Sequence, residues 1–154
     1  MVVVCLGVVP YEQSERLALY RAYARCARVV YVEPDPSRDG TDANPFGVES
    51  GGITVVRISA TFPGGRLRVI AVVNRWLGLR KLLRRMRARY REPLVLVVQR
   101  PDQLPTLRGL PADLCIYEVV DDYAALSSER AVQRRLQRAH RRAIASSDVA
   151  SAST

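Results

Sequence analysis

The sequence predicts a three-layer α/β domain with a mostly parallel sheet of about five or six strands. Three observations carry that expectation. Short apolar runs, too short for helices, alternate with amphipathic stretches of helical period. The runs are nearly continuous in Val, Ile and Leu, as in parallel strands covered on both faces. The chain has 154 residues and 48% apolar content, enough for one sizeable core. Residues 1–154 are read as a single domain without internal repeats.

Val2 to Val9 is the first run, and Pro10 ends it. Glu12 to Ala27 reads as a helix with Leu17, Tyr20 and Ala24 on one face. Arg28 to Glu33 is a second strand, stopped by Pro34 and Pro36. Asp35 to Gly52, rich in Pro, Asp, Asn, Ser and Gly, reads as a long surface loop. Ile53 to Ile58 is a third strand. Val69 to Tyr90 is the clearest helix, because Val69, Val72, Val73, Trp76, Leu79, Leu83, Met86 and Tyr90 recur in helical steps and Pro93 closes it. Leu94 to Val98 is the most apolar strand and is expected to be central. A Pro-containing connection from Gln99 to Pro111 leads to a fifth strand, Leu114 to Val120. Ser127 or Ser128 is placed to cap a last helix reaching about Ala143, with Val132, Leu136, Ala139 and Ala143 as its buried stripe. Ile144 to Thr154 reads as a short tail of mostly small residues.

Composition excludes collagen, extended disorder and a disulfide scaffold: Gly and Pro number 9 each, and there are 3 Cys. Cys5, Cys26 and Cys115 are expected to be reduced thiols of a cytoplasmic protein. No apolar run is long enough to span a bilayer, and the N-terminus lacks the pattern of a secretory signal. One histidine and no Cys pair argue against a structural zinc site, and a metal at Asp121 and Asp122 would need further oxygen ligands, for which Glu33 is the only obvious candidate. There is no G-x-G-x-x-G, P-loop or G-x-S-x-G, so tight phosphate binding at the first helix N-terminus and serine hydrolysis are unsupported. A phospho-acceptor receiver domain would need a lysine at a strand end, and the only lysine, Lys81, falls in a helix. His140, among Arg138, Arg141 and Arg142, reads as a surface histidine.

The formal charge is +9. Residues 66–91 hold ten basic residues and no acid, leaving 14 basic against 15 acidic residues elsewhere. Within that segment Arg75, Arg80, Lys81, Arg84, Arg85 and Arg87 are candidates for contact with an anionic surface. The rival reading is a solvated arginine-rich helix whose apolar stripe serves the core. In open parallel sheets, ligands bind beyond the carboxyl ends of the strands. Those ends are Pro10-Tyr11, Glu33-Pro34, Ser59-Ala60, Gln99-Arg100-Pro101 and Asp121-Asp122-Tyr123. Asp121 and Asp122 are the candidate catalytic carboxylates, one as hydroxyl acceptor or base and the other as a turn cap. Glu33, Gln99, Arg100 and Tyr123 are the candidate cleft residues for an acceptor.

The order of segments carries a resemblance. Val29-Val30-Tyr31-Val32-Glu33-Pro34 is followed by Pro93 to Val98 with Pro101, then by Ile116-Tyr117-Glu118-Val119-Val120-Asp121-Asp122-Tyr123, a helix, Ser147-Asp148-Val149 and Ser153. This resembles the Rossmann-like N-terminal, acceptor-side half of GT-B glycosyltransferases of the family-4 type, in the branch that builds teichuronic-acid-like envelope polysaccharides. Glu118 stands where that family usually has aspartate, and the glycine-rich first turn of many members is missing. The resemblance implies a retaining, metal-independent transfer from a nucleotide-sugar donor to an envelope-glycan or lipid-linked acceptor. It also implies that donor contacts belong to a C-terminal domain beyond this sequence, in cis or in trans. The chain alone is then expected to bind no cofactor tightly and to transfer no sugar. Its place would be the cytoplasm, peripheral to the inner face of the membrane. The alternative is a non-enzymatic module that binds an anionic partner through residues 66–91, a membrane surface before nucleic acid, since no RRM, KH or helix-turn-helix pattern is present.

Overall fold

A computed structural model describes residues 1–33, 48–58, 68–104, 107–123 and 125–152. The strands are β1 (Val2–Leu6), β2 (Arg28–Val32), β3 (Val48–Ser50), β4 (Ile53–Val56), β5 (Leu94–Val98), β6 (Leu114–Val119) and β7 (Val149–Ala152). The helices are α1 (Leu17–Ala24), α2 (Arg68–Tyr90) and α3 (Arg130–Ser146), with a 3-10 turn at Tyr11–Gln13. One sheet runs in the order β3-β4-β2-β1-β5-β6-β7. Every pairing is parallel except β3 with β4, a hairpin turned by Gly51 and Gly52, both at positive φ. The chain winds outward from β1 to β4, then crosses back through α2 to β5 and winds the other way. This is a Rossmann-like α/β fold with its switch point between β1 and β5.

Side-chain alternation divides the core in two. Val2, Val4, Leu6, Leu94, Leu96 and Val98 point to the face covered by α2 and α3, where Leu79, Leu83, Met86 and Ala143 meet them. Val3, Cys5, Val29 and Tyr31 point to the other face, against Tyr11 and α1's Tyr20. Tyr31 packs on Tyr11 and Tyr20 with ring centroids 5.3 Å from each. The right-handed rule for parallel crossovers explains the layering: reversing the winding direction moves the connecting helix to the opposite face.

Several boundaries differ from the sequence reading. The first helix is shorter, since Tyr11–Gln13 forms a separate 3-10 turn and α1 begins at Leu17. Pro10 is followed by a tight turn in which Gln13 and Ser14 donate back to Pro10 and Tyr11, and the helix cannot start until that turn is complete. The sheet has seven strands rather than five or six. Val48–Ser50, expected in a loop, is a strand because its backbone pairs with β4. Val149–Ala152, expected in the tail, adds to β6, where Asp148 accepts from the Cys115 amide at 2.7 Å and locks the register. β1 occupies the middle of the sheet, and β5 lies beside it.

α3 extends to Ser146, and its N-cap is Glu129, with no side-chain cap bond. Neither Ser127 nor Ser128 caps it; the Ser127 hydroxyl accepts instead from the Glu129 amide. Leu136, Ala139 and Ala143 are buried as expected, whereas Val132 is half-buried. On α2, Leu79, Leu83 and Met86 are buried, but Val69 and Val73 face solvent.

Candidate functional site

The turn after β1 is filled from within. Gly7 is buried, and a Cβ there would fall inside the ring and hydroxyl of Tyr31. The Tyr31 hydroxyl donates to the Val9 carbonyl at 2.6 Å, and the Gln103 amide donates to the Gly7 carbonyl. These side chains occupy the crevice in which a Rossmann fold receives a pyrophosphate. The missing glycines of this turn were legible in the sequence; the residues that take their space were not.

A polar network lies behind the ends of β5 and β6. Arg16 pairs with Glu118. Glu118 also accepts from the Gln99 side-chain amide at 3.1 Å, and the Gln99 oxygen accepts from Tyr20 at 3.2 Å. Gln99 is thus a buried structural residue, not the cleft residue that its position at a strand end suggested. Its side-chain amide thus links Tyr20 to Glu118.

Glu33 is likewise held elsewhere. Its carboxylate accepts from the Tyr11 amide at 3.2 Å and pairs with Arg57. β2 and β6 are three inter-strand steps apart, roughly 14 Å at the usual spacing. Glu33 therefore does not join Asp121 and Asp122. Pro34, Ser59, Ala60, Arg66 and Ser153 lie outside the described residues.

The open site lies at the carboxyl end of β6. A cleft of about 350 Å³ is bounded by Pro101, Asp121, Asp122, Tyr123, Gln137 and His140, with Tyr117 as its floor. Asp121 and Asp122 both line it, although adjacent residues need not share a site. Their roles differ. Asp122 accepts from the Ala125 amide at 3.1 Å and caps the following turn. The Asp121 carboxylate is exposed and has no hydrogen-bond partner among the described residues. Tyr123 stands beside it, and burial together with the Asp121 charge raises the ionisation range of its phenol. Arg100 pairs with Asp102 at 2.7 Å and lies over the Tyr123 ring, 5.7 Å from its centroid.

His140 is not the free surface histidine that its arginine-rich surroundings suggested. Its Nδ1 is 3.0 Å from the hydroxyl of fully buried Tyr117, and the rings meet edge to face. Burial pushes the Tyr117 phenol up to about 12, so it keeps its proton at neutral pH. The cleft thus combines the Asp121 carboxylate, the His140 imidazole, the Gln137 amide and the Tyr123 ring. Carboxylate, amide and imidazole groups are able to hydrogen-bond hydroxyl groups, and the ring offers an apolar face. Among the described residues, no three His, Cys, Asp or Glu side chains cluster as metal ligands.

The basic candidates on α2 separate by environment. Lys81, Arg84 and Arg85 are exposed. Arg87 pairs with Asp113 at 2.8 Å. Arg75 and Arg80 are half-buried, and Arg80 lies 5.2 Å from the Trp76 ring. A second basic surface went unrecognised in the charge count, because acids elsewhere cancel it in sum. α3 carries Arg130, Arg134, Arg135, Arg138, Arg141 and Arg142, all exposed, with no acid within the helix.

No family model matches this chain, and no curated protein matches it.

Proposed function

We propose that this chain is the acceptor-side domain of a glycosyltransferase that moves a sugar from a nucleotide-sugar donor to an envelope-glycan or lipid-linked acceptor. The observation that carries the reading is the cleft beyond β6, where Asp121, Gln137, His140 and Tyr123 surround a space of about 350 Å³. Carboxylate and amide groups bind sugar hydroxyls, and a tyrosine ring supplies an apolar face for the ring carbons. Two further features support it. The doubly wound sheet is the architecture that the family resemblance implies. The turn at Gly7, filled by Tyr31 and Gln103, supports a reading in which a second domain would bind the nucleotide.

Asp121 is the group that would accept the proton of an acceptor hydroxyl or orient it, and Asp122 holds the turn that presents Asp121. The exposed basic residues of α2 would keep the protein at an anionic inner membrane, close to a lipid-linked acceptor.

The test is an NMR titration of the labelled chain with neutral and uronic-acid-containing oligosaccharides and, separately, with a nucleotide sugar. Oligosaccharide is expected to shift the His140 and Tyr123 resonances. Asp121→Asn and Tyr123→Ala should each weaken binding at least fivefold. Nucleotide sugar should leave Gly7 to Val9 unmoved. Shifts at that turn with nucleotide sugar, or silence of the cleft with every glycan, would overturn the assignment.

A further inference from the structure

Pro101 has a cavity on each side. One is the Asp121 cleft. The other is a slot of about 280 Å³ between the chain following β5 and α3. Its walls are Val98, Leu104, Leu107, Ala139 and Ala143, all buried, and its rim carries Arg108, Arg142 and Ser146. The slot exists because α3 turns small residues toward the loop. Ala139 and Ala143 lie one helical turn apart, where longer side chains would have closed the gap against Leu104 and Leu107.

Arg142 also belongs to the arginine surface of α3, a concavity lined by Arg130, Arg134, Arg135, Arg138 and Arg141. From Arg130 to Arg141 this run is about 16 Å long at the helical rise. No carboxylate among the described residues pairs with any of its members. A row of like charges raises the energy of the isolated chain and favours any anion that spans it. Arginine binds phosphate in particular, through two parallel N–H donors. The Arg142 side chain donates from its Nε to the Arg138 carbonyl at 3.3 Å, and the residue lines the slot.

An apolar slot that opens onto guanidinium groups is complementary to an amphiphile with an anionic head. We propose that this site binds a phosphorylated long-chain alcohol, with its phosphate at Arg142 and Arg108 and the first part of its chain between Leu104, Leu107 and Ala139. Each rival ligand uses only half of the site. A nucleic-acid backbone or free phosphate would use the arginines and ignore the slot, and a neutral alcohol would do the reverse. The inference rests on the acceptor reading for its purpose, and Pro101 walls both cavities.

The experiment is calorimetric titration of the whole chain with geranyl phosphate, geraniol, inorganic phosphate and a short DNA duplex. Geranyl phosphate should bind at least tenfold more tightly than geraniol or inorganic phosphate. Arg142→Glu, on the exposed rim, should weaken it at least fivefold. Ala139→Leu should fill the slot and weaken geranyl phosphate equally, while the affinity for inorganic phosphate stays unchanged. Circular dichroism verifies the fold of both variants, and the Arg142 variant carries the test if Ala139→Leu does not fold. Absence of geranyl phosphate binding, equal binding of phosphate or duplex, or indifference to Arg142→Glu would overturn the inference. Asp121→Asn should leave geranyl phosphate affinity unaltered. Loss of glycan binding and loss of lipid-phosphate binding are therefore separate results, and each removes only its own claim.

Discussion

Cys5 lies in the middle of the sheet, between Val3 and Leu6 on the chain and against Tyr20 and Tyr31 in space. Burial, reinforced by the Glu118 charge, pushes its thiol up from an ordinary 9 to about 12. The sign for stability follows directly. Between those values the unfolded chain has lost the proton while the folded chain keeps it, so folding is fully favoured below pH 9 and weakens as pH rises toward 12. The full effect of one such group is on the order of 4 kcal/mol. Urea denaturation between pH 9 and 10, below the range in which tyrosines ordinarily ionise, should show a steeper loss for the native chain than for Cys5→Ala. Parallel slopes would assign the alkaline sensitivity to other groups. Cys26, by contrast, is exposed.

α2 illustrates how one helix can be basic and yet belong to the core. Its 23 residues carry a stripe in which Leu79 and Leu83 are fully buried against β1 and β5. The arginines occupy the remaining face, where long side chains reach water. Leu83→Ala is expected to cost about 2–5 kcal/mol through lost burial and the cavity left behind. Arg84→Ala, one residue on and exposed, should change stability by less than about 0.5 kcal/mol. Chemical denaturation of both variants checks the pair. Near-equal costs would mean that the stripe does not pack on the sheet. The same packing means that α2 has no continuous apolar face to offer a bilayer, so its contact with a membrane would be electrostatic, with Val69 and Val73 as its only large exposed apolar side chains.

At the scale of the whole molecule, the sheet separates the two surfaces. α2 and α3 lie on the same side, and together they carry 14 basic residues and no acid. Among the described residues no helix is long and apolar enough to cross a membrane. Adsorption to vesicles should therefore require acidic lipid and disappear at about 0.5 M salt, where the screening length is only a few ångströms. Combining Lys81→Glu, Arg84→Glu and Arg85→Glu should reduce co-sedimentation several-fold at low salt. Binding to neutral vesicles at high salt would contradict an electrostatic contact.

The sequence by itself determined the core strands, the long helix and the strand-end segment Asp121 to Tyr123. Each is a local pattern: an unbroken apolar run, a helical period closed by Pro93, or an acidic pair directly after a strand. Asp121, Asp122 and Tyr123 share a cleft because they are contiguous at the end of β6. Tertiary structure alone decided the edge strands β3 and β7. Val-Glu-Ser and Val-Ala-Ser-Ala carry little apolar alternation, and they become strands through the backbone of the neighbour they join. It also decided the fate of the remaining candidates. Glu33 was withdrawn by Arg57, and Gln99 by Tyr20 and Glu118. His140 was oriented by Tyr117, 23 residues earlier in the chain. A polar side chain acts through its partners, and those partners are set by which strands and helices the fold brings side by side.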